Sequence, residues 1–238
     1  HREQSGYSEN ITTGADLDDE DNWSVRGQLL FAPTDASRLL LGYDFVTDDN
    51  SGNARVPYPV FDTGQVGPVN NLVLGALRRL WPVGSDLRKA YSVPESFQER
   101  EINGLTMRLE HDASYGTWTL LGGWRSVELS WYEDLDGLKP FGFPPPGGWV
   151  LKNRDITDED AEQYSLEARL ASPADSRLKW VAGLYWFSED VERDERFITL
   201  FSLVPVAGGD VTFIQDVDSS TYAVFGQATW PFTDNLSA

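Results

Sequence analysis

Carboxylates dominate the reactive groups of this chain. Asp and Glu number 38 in 238 residues, against two histidines and no cysteine. Glu128 and Glu133 could imitate the acid–base pair of a glycoside hydrolase, although so acidic a composition produces such pairs by itself. Asp16, Asp18, Asp19, Glu20 and Asp21 could offer hard oxygen ligands to Ca²⁺. That run lacks the glycine and the bidentate glutamate of an EF-hand loop, and a solvated rim is the simpler reading. Asp155, Asp158, Glu159 and Asp160 read the same way. His1 and His111 give too little support for a zinc site or a Ser-His-Asp triad, and His111 borders a short turn. Without cysteine there is no disulfide or thiolate metal site, and no glycine loop is built to cradle phosphate. Neither a catalytic residue, nor a metal site, nor a cofactor is expected, so the chain does not read as an enzyme.

Binding is a better prospect than catalysis. Leu72, Leu74, Leu77 and Leu80 recur at helical spacing, with Arg78 and Arg79 between them and Arg88 and Lys89 beyond. On a protein of formal charge −19, that basic stretch could meet an anionic ligand, or it could be a short helix packed over the mouth of the fold. Trp131, Tyr132, Phe141, Phe143 and Trp149 could offer rings to the same ligand. Arg78, Arg79, Trp131, Tyr132 and Trp149 are the ligand-binding candidates. The negative charge argues against a nucleic-acid partner.

The elements that must carry these residues read as strands. Trp23, Val25, Gly27, Leu29 and Phe31 share one face of Asn22–Ala32, opposite Ser24, Arg26 and Gln28. The same period of two runs through 38–46, 103–111, 163–171 and 221–230. In 117–131 the apolar face switches beyond Arg125, which a bulge near Gly122-Gly123 or an extension beyond a bilayer would explain. Residues 179–187 are apolar on both faces. That makes seven strands, with a partial one expected around Glu3–Ser8 and another beginning at Ser237-Ala238. Short turns at 33–36, 112–116, 173–176 and 231–235 alternate with long stretches at roughly 8–20, 47–100, 133–160 and 190–219. Short turns at one end and long loops at the other are the sequence pattern of a transmembrane β-barrel. No apolar run reaches the ~18 residues of a membrane helix.

Alternation alone also fits a sandwich; the aromatic residues separate the two. Phe31, Trp118, Trp180 and Trp230 lie near short turns. Trp23, Tyr43, Trp124, Tyr164, Trp186 and Tyr222 lie nearer the long stretches. Trp23 to Phe31 spans about 26 Å of strand at ~3.3 Å per residue. Tilted near ~40°, that is about 20 Å of height, close to the ~25 Å apolar band of an outer-membrane barrel, where amphipathic rings favour the two interfaces.

Several segments resemble the barrel of TonB-dependent outer-membrane receptors. They are Asn10-Ile11-Thr12-Thr13-Gly14, Asp18 to Gln28, Tyr164-Ser165-Leu166-Glu167-Ala168-Arg169-Leu170-Ala171-Ser172-Pro173 (similar to the family's SQELRLAS strand), Trp180 to Phe187 and Tyr222 to Trp230. The resemblance covers strands and turns, not the long loops, and is nearest to the siderophore-receptor type. It implies an all-β, antiparallel up-and-down barrel, of which residues 1–238 would supply about 7–8 of 22 strands, without the plug domain and C-terminal strands. It implies active import of a ferric siderophore or similar scarce ligand, and contact with outer-membrane lipid and lipopolysaccharide. It also implies energy delivered by TonB through an N-terminal plug, in the outer membrane of a Gram-negative bacterium. The His1-Arg2-Glu3 start, with neither Met nor signal peptide, is expected of an internal piece. The alternatives are a soluble β-sandwich carbohydrate-binding module and a β-rich glycoside hydrolase.

Overall fold

The computed structural model describes residues 1–56, 86–92, 96–135, 137, 152–200, 208–233 and 236–237. Thirteen strands occur among them: β1 (Arg2–Gln4), β2 (Ser8–Asn10), β3 (Asp16–Leu17), β4 (Glu20–Thr34), β5 (Ser37–Ser51), β6 (Lys89–Ala90), β7 (Phe97–Ala113), β8 (Gly116–Asp134), β9 (Lys152–Ala171), β10 (Lys179–Leu200), β11 (Gly208–Thr229), β12 (Pro231–Thr233) and β13 (Leu236–Ser237). Eight of them form one antiparallel sheet in the order β1-β4-β5-β7-β8-β9-β10-β11. From β4 onward each long strand pairs with the next long strand, which is an up-and-down meander.

Local chemistry fixes the tight ends. Ala113 pairs with Gly116, leaving the two-residue hairpin loop Ser114-Tyr115. At 173–176 the Ser176 amide donates to the Pro173 carbonyl at 3.1 Å, a β-turn with proline at its head. The expected strand around Glu3–Ser8 is the three-residue β1, paired to β4. Near the other end, β13 pairs back on β12.

At the other end the strands run further than their hydrophobic period. β10 has 22 residues, about 73 Å at ~3.3 Å each, more than twice a ~30 Å hydrocarbon core. Much of 190–219 and 152–160 is therefore strand rather than loop. In 152–160 and 190–200 charge falls on both faces, so no apolar alternation reveals them; in 208–219 the apolar Val211, Phe213 and Val217 sit on the parity opposite to Tyr222 and Val224, which breaks the period. The register of β8 against β7 and β9 is unbroken through Gly122-Gly123. There is no bulge, and the change of face beyond Arg125 is a strand leaving the apolar zone.

The eight-stranded sheet has no second sheet stacked on it among the described residues. Its large apolar side chains stay exposed, Leu184 at 59% and Val224 at 83%. The buried apolar residues, Leu17 and Ala90, lie instead in a small sheet of order β3-β2-β6. A soluble sandwich would bury its wide apolar face; this one presents it.

Candidate functional site

The pairing register sorts the sheet into horizontal rows. One row runs Phe31–Leu39–Leu109–Leu120–Ala168–Leu184–Val224 across β4 to β11, apolar in every strand. The next on that face is Leu29–Leu41–Met107–Gly122–Leu166–Trp186–Tyr222, and the next Gly27–Tyr43–Leu105–Trp124–Tyr164–Ser188–Ser220. One step further the row reads Val25–Phe45–Asn103–Ser126–Glu162–Asp190–Asp218. Beyond it, Glu101, Glu128, Asp160, Glu192 and Asp216 stand side by side on five adjacent strands. The outer face thus passes from hydrocarbon to aromatic to polar to acidic.

The aromatic residues also carry a direction. Tyr43 donates to Asn103 Oδ1 at 2.8 Å, Trp124 to Glu162 Oε1 at 2.8 Å and Tyr164 to the same oxygen at 2.7 Å. Both acceptors lie one row further from the short turns. Near the short turns, the Trp118 indole N–H donates to the Tyr115 hydroxyl at 3.2 Å. At both ends of the band, polar atoms turn away from the apolar rows. This is how amphipathic rings sit at the two surfaces of a bilayer.

The opposite face is mixed between the two most apolar rows, reading Leu30–Leu40–Arg108–Leu121–Glu167–Tyr185–Ala223, and mostly polar further from the short turns. Its rows read Gln28–Gly42–Thr106–Gly123–Ser165–Phe187–Thr221 and Arg26–Asp44–Gly104–Arg125–Gln163–Glu189–Ser219. Arg125 Nη2 reaches Asp44 at 3.2 Å across the intervening β7. Gly104 permits this, because a Cβ there would lie 2.7 Å from Asp44 Oδ1.

Further up this inner face is a denser cluster. The Trp131 indole N–H donates to Asp155 Oδ2 at 3.1 Å, and buried Thr157 donates to Asp155 Oδ1 at 3.1 Å. Arg193 lies over the Trp131 ring and pairs with Glu159 at 3.4 Å and Glu195 at 3.2 Å. Arg100 pairs with Asp48. The cluster joins aromatic surface to charge on one wall.

The candidates separate accordingly. Trp131 belongs to the inner wall. Tyr132, the next residue, faces the other way, beneath Arg154 and edge-on to Phe97 at 6.4 Å. Arg78, Arg79 and Trp149 lie outside the described residues, as do Phe141, Phe143 and the leucines of 72–80. Lys89 is tied to Glu9 at 2.9 Å; that hydrogen bond and the adjacent negative charge raise its pKa. Glu128 and Glu133 are on opposite faces of β8, which rules out an acid–base pair between them. The acidic run is not a free rim either. Asp19 accepts from the Ser51 amide at 2.6 Å and Asp18 from the Ala54 amide at 3.1 Å. Asp155 and Glu159 face inward from β9, and Asp158 and Asp160 outward. Among the described residues no group of three or more His, Asp or Glu is placed to hold a metal ion.

Above the band, two contacts on the β10–β11 hairpin shift ionisation. A hydrogen bond that the protonated Asp190 carboxyl donates to Asp218, then desolvation and the charges of Asp218, Asp216 and Glu192, push Asp190 up. The hydrogen bond to Arg196, aided by its charge, holds Asp210 down. Neither the five-acid row nor the Arg193 cluster could be found without the register, which only the fold supplies.

An antiparallel meander with one lipid-compatible face and one water-compatible face is the wall of a membrane-spanning β-barrel. The chain belongs to the TonB-dependent receptor-like β-barrel family, whose model matches residues 28–238. That family consists of transporters of the Gram-negative outer membrane. Among solved structures, the ferric yersiniabactin uptake receptor FyuA from Yersinia pestis is similar, with TM-score 0.59 and 14% identity, over 98% of this chain and 39% of that one. The ferric-catecholate import receptor Fiu from K12 E. coli aligns at TM-score 0.42 and 13% identity, over 98% of this chain and 44% of its own. The chain therefore spans about two fifths of FyuA, and at this identity the likeness shows the fold alone. No curated protein matches the chain.

Proposed function

We propose that this chain is part of the barrel of an outer-membrane receptor that imports a ferric siderophore or a similar scarce chelate. The observation that carries the reading is the contrast between the row Phe31 to Val224 and the row Gln28 to Thr221. A wall built this way holds hydrocarbon on one side and water on the other. The wet side has what a polar chelate needs for passage: paired arginines and carboxylates, with Trp131 above them. FyuA, of the same fold, is a ferric yersiniabactin uptake receptor by name, and the siderophore reading extends that use to this chain.

In this account the outer face meets membrane lipid and, above the aromatic band, lipopolysaccharide. Ligand contacts come from Trp131 and its inner-wall neighbours, and from Arg78, Arg79 and Trp149 in the long connections. Tyr132 is left out because it faces away from the inner wall. Energy comes from TonB acting through a plug domain in the complete receptor, and no covalent step on the ligand is involved.

The experiment is growth of a deletion strain on defined ferric chelates as sole iron source, with uptake of labelled iron measured alongside. Loss of growth and uptake on one chelate, restored by the full-length gene, is the expected result. Unchanged growth and uptake on every chelate tried would overturn the reading.

A further inference from the structure

We propose that residues 51–55 form a strap that locks the connections before β4 and after β8 to the one after β5, and roofs the inner wall at Trp131. The roofing half rests on reading that wall as the lumen.

The strap starts where β5 ends. The Gly52 amide donates to the Ser96 carbonyl at 3.0 Å, extending the β5–β7 ladder by one step. On one side, Asp19 takes the Ser51 amide and hydroxyl at 2.6 and 2.8 Å, and Asp18 takes the Ala54 amide at 3.1 Å. Asp18 has φ 58°, a left-handed conformation costly for a residue with a Cβ. Its own amide donates to the Gly52 carbonyl at 3.4 Å. Both ends of this strained residue are therefore spent on the strap, which is what such strain needs to persist.

On the other side the chain passes the end of β7 and reaches β8, about 10 Å away at ~4.8 Å per strand. There Glu133 accepts from Asn53 Nδ2 at 2.7 Å and from Arg55 Nη2 at 2.5 Å. Gly137, at φ 61°, lies so close that a Cβ would come within 1.9 Å of the Arg55 carbonyl oxygen. Leu135 anchors this region by donating to the Asn153 carbonyl at 2.7 Å. Glu133 is two residues above Trp131 on the same face and pairs with Asp155, so the strap crosses at the top row of the Trp131–Asp155–Arg193 cluster, one row above Trp131. Opening this end breaks charge-assisted bonds, and it frees the Asp18–Asp19 turn as well.

The test uses the complete receptor in intact cells, with Gln98→Cys as an inner-wall reporter beside Trp131 and any cysteine outside these 238 residues replaced by serine. A membrane-impermeant maleimide is added outside. Arg55→Ala and Glu133→Gln should each speed labelling about tenfold, the effect of losing one charge-assisted contact on a local opening equilibrium, and Gly137→Ala should speed it too, because the added methyl group has no room against the Arg55 carbonyl. Moving the reporter to Ser8→Cys, buried in β2, should show the same variants loosening the first connection. Glu128→Gln, on the other face of β8, should change neither. Heat-modifiable gel mobility confirms that each barrel is folded, and Glu133→Gln preserves shape where Gly137→Ala does not. Equal labelling rates in parent and all three variants would overturn the strap. An unchanged Ser8→Cys rate with a faster Gln98→Cys rate would overturn the coupling. Rapid aqueous labelling of Leu184→Cys would instead show that the membrane reading of the sheet had failed, whatever the strap does.

Discussion

Arg193 lies over Trp131, its guanidinium carbon 5.4 Å from the ring centroid, although β9 separates their strands. Asp155 on that middle strand takes the indole N–H, while Glu159 and Glu195 flank the cation. Such a cation–π contact is worth about 0.5–1 kcal/mol at an exposed site. Its larger effect is to hold a flat ring and a charge in one orientation on the inner wall.

On the import reading, Trp131→Ala in the complete receptor reduces affinity for the transported chelate about tenfold, the loss usual for truncating an aromatic anchor. Trp131→Phe, which keeps a smaller aromatic ring and drops the N–H bond to Asp155, retains most of it. Competition binding on whole cells measures both. Equal losses would place the contribution in the indole N–H rather than the ring.

Charge on the outer row should be costly. Leu184→Arg is expected to destabilise the barrel by about 2–4 kcal/mol, the cost of arginine near the bilayer midplane. Tyr185→Arg, its neighbour on the inner face, is expected to cost well under half of that. Urea unfolding of the receptor in lipid vesicles gives the two values.

Gly183 faces Phe225 across the β10–β11 pair. A Cβ at Gly183 would lie 2.4 Å from Phe225 Cζ and 2.9 Å from the Ala168 carbonyl oxygen. Gly183→Val should therefore cost about 1–3 kcal/mol by overpacking. Phe225→Ala should restore only part of it, because the second clash is with backbone. A double-mutant cycle of thermal midpoints checks this.

The β10–β11 hairpin should respond to pH in two opposite ways. Asp190 is raised by Asp218, so its contribution is complete below the ordinary carboxylate pKa and is lost as pH rises through its folded value. Asp210 is lowered by Arg196, so its contribution is present above the ordinary value and lost as pH falls through its folded one. Asp218→Asn should slow amide exchange in the hairpin at neutral pH relative to the parent. Asp210→Asn should remove the loss on the acid side. Exchange rates against pH for the three proteins separate the two effects.

The sequence carried the membrane-facing half of each strand because lipid on one side and water on the other leave a period of two, as Leu39, Leu41, Tyr43 and Phe45 display. Beyond the aromatic band both faces are wet, so Asp190–Leu200 carries charge on both faces and its strand character is hidden, while in Gly208–Ser219 the apolar Val211, Phe213 and Val217 take the parity opposite to Tyr222 and Val224 and break the pattern. Parity alone places Glu128 apart from Glu133 and Trp131 apart from Tyr132, a signal already present in the numbering. Asp18 and Asp19 are different. Their partners at Ser51 and Ala54 are more than thirty residues away, and nothing local indicates that these acids fasten a connection rather than line a rim.

The most direct measurement is the environment of single spin labels at Leu41, Leu166 and Leu184, compared with Gly42, Ser165 and Tyr185, in the receptor reconstituted in lipid. Oxygen dissolved in the bilayer should relax the first three, and a water-soluble nickel chelate the second three. If all six respond alike, or if the leucine positions are shielded from both reagents, no face of this sheet meets lipid and the account of a membrane wall is wrong.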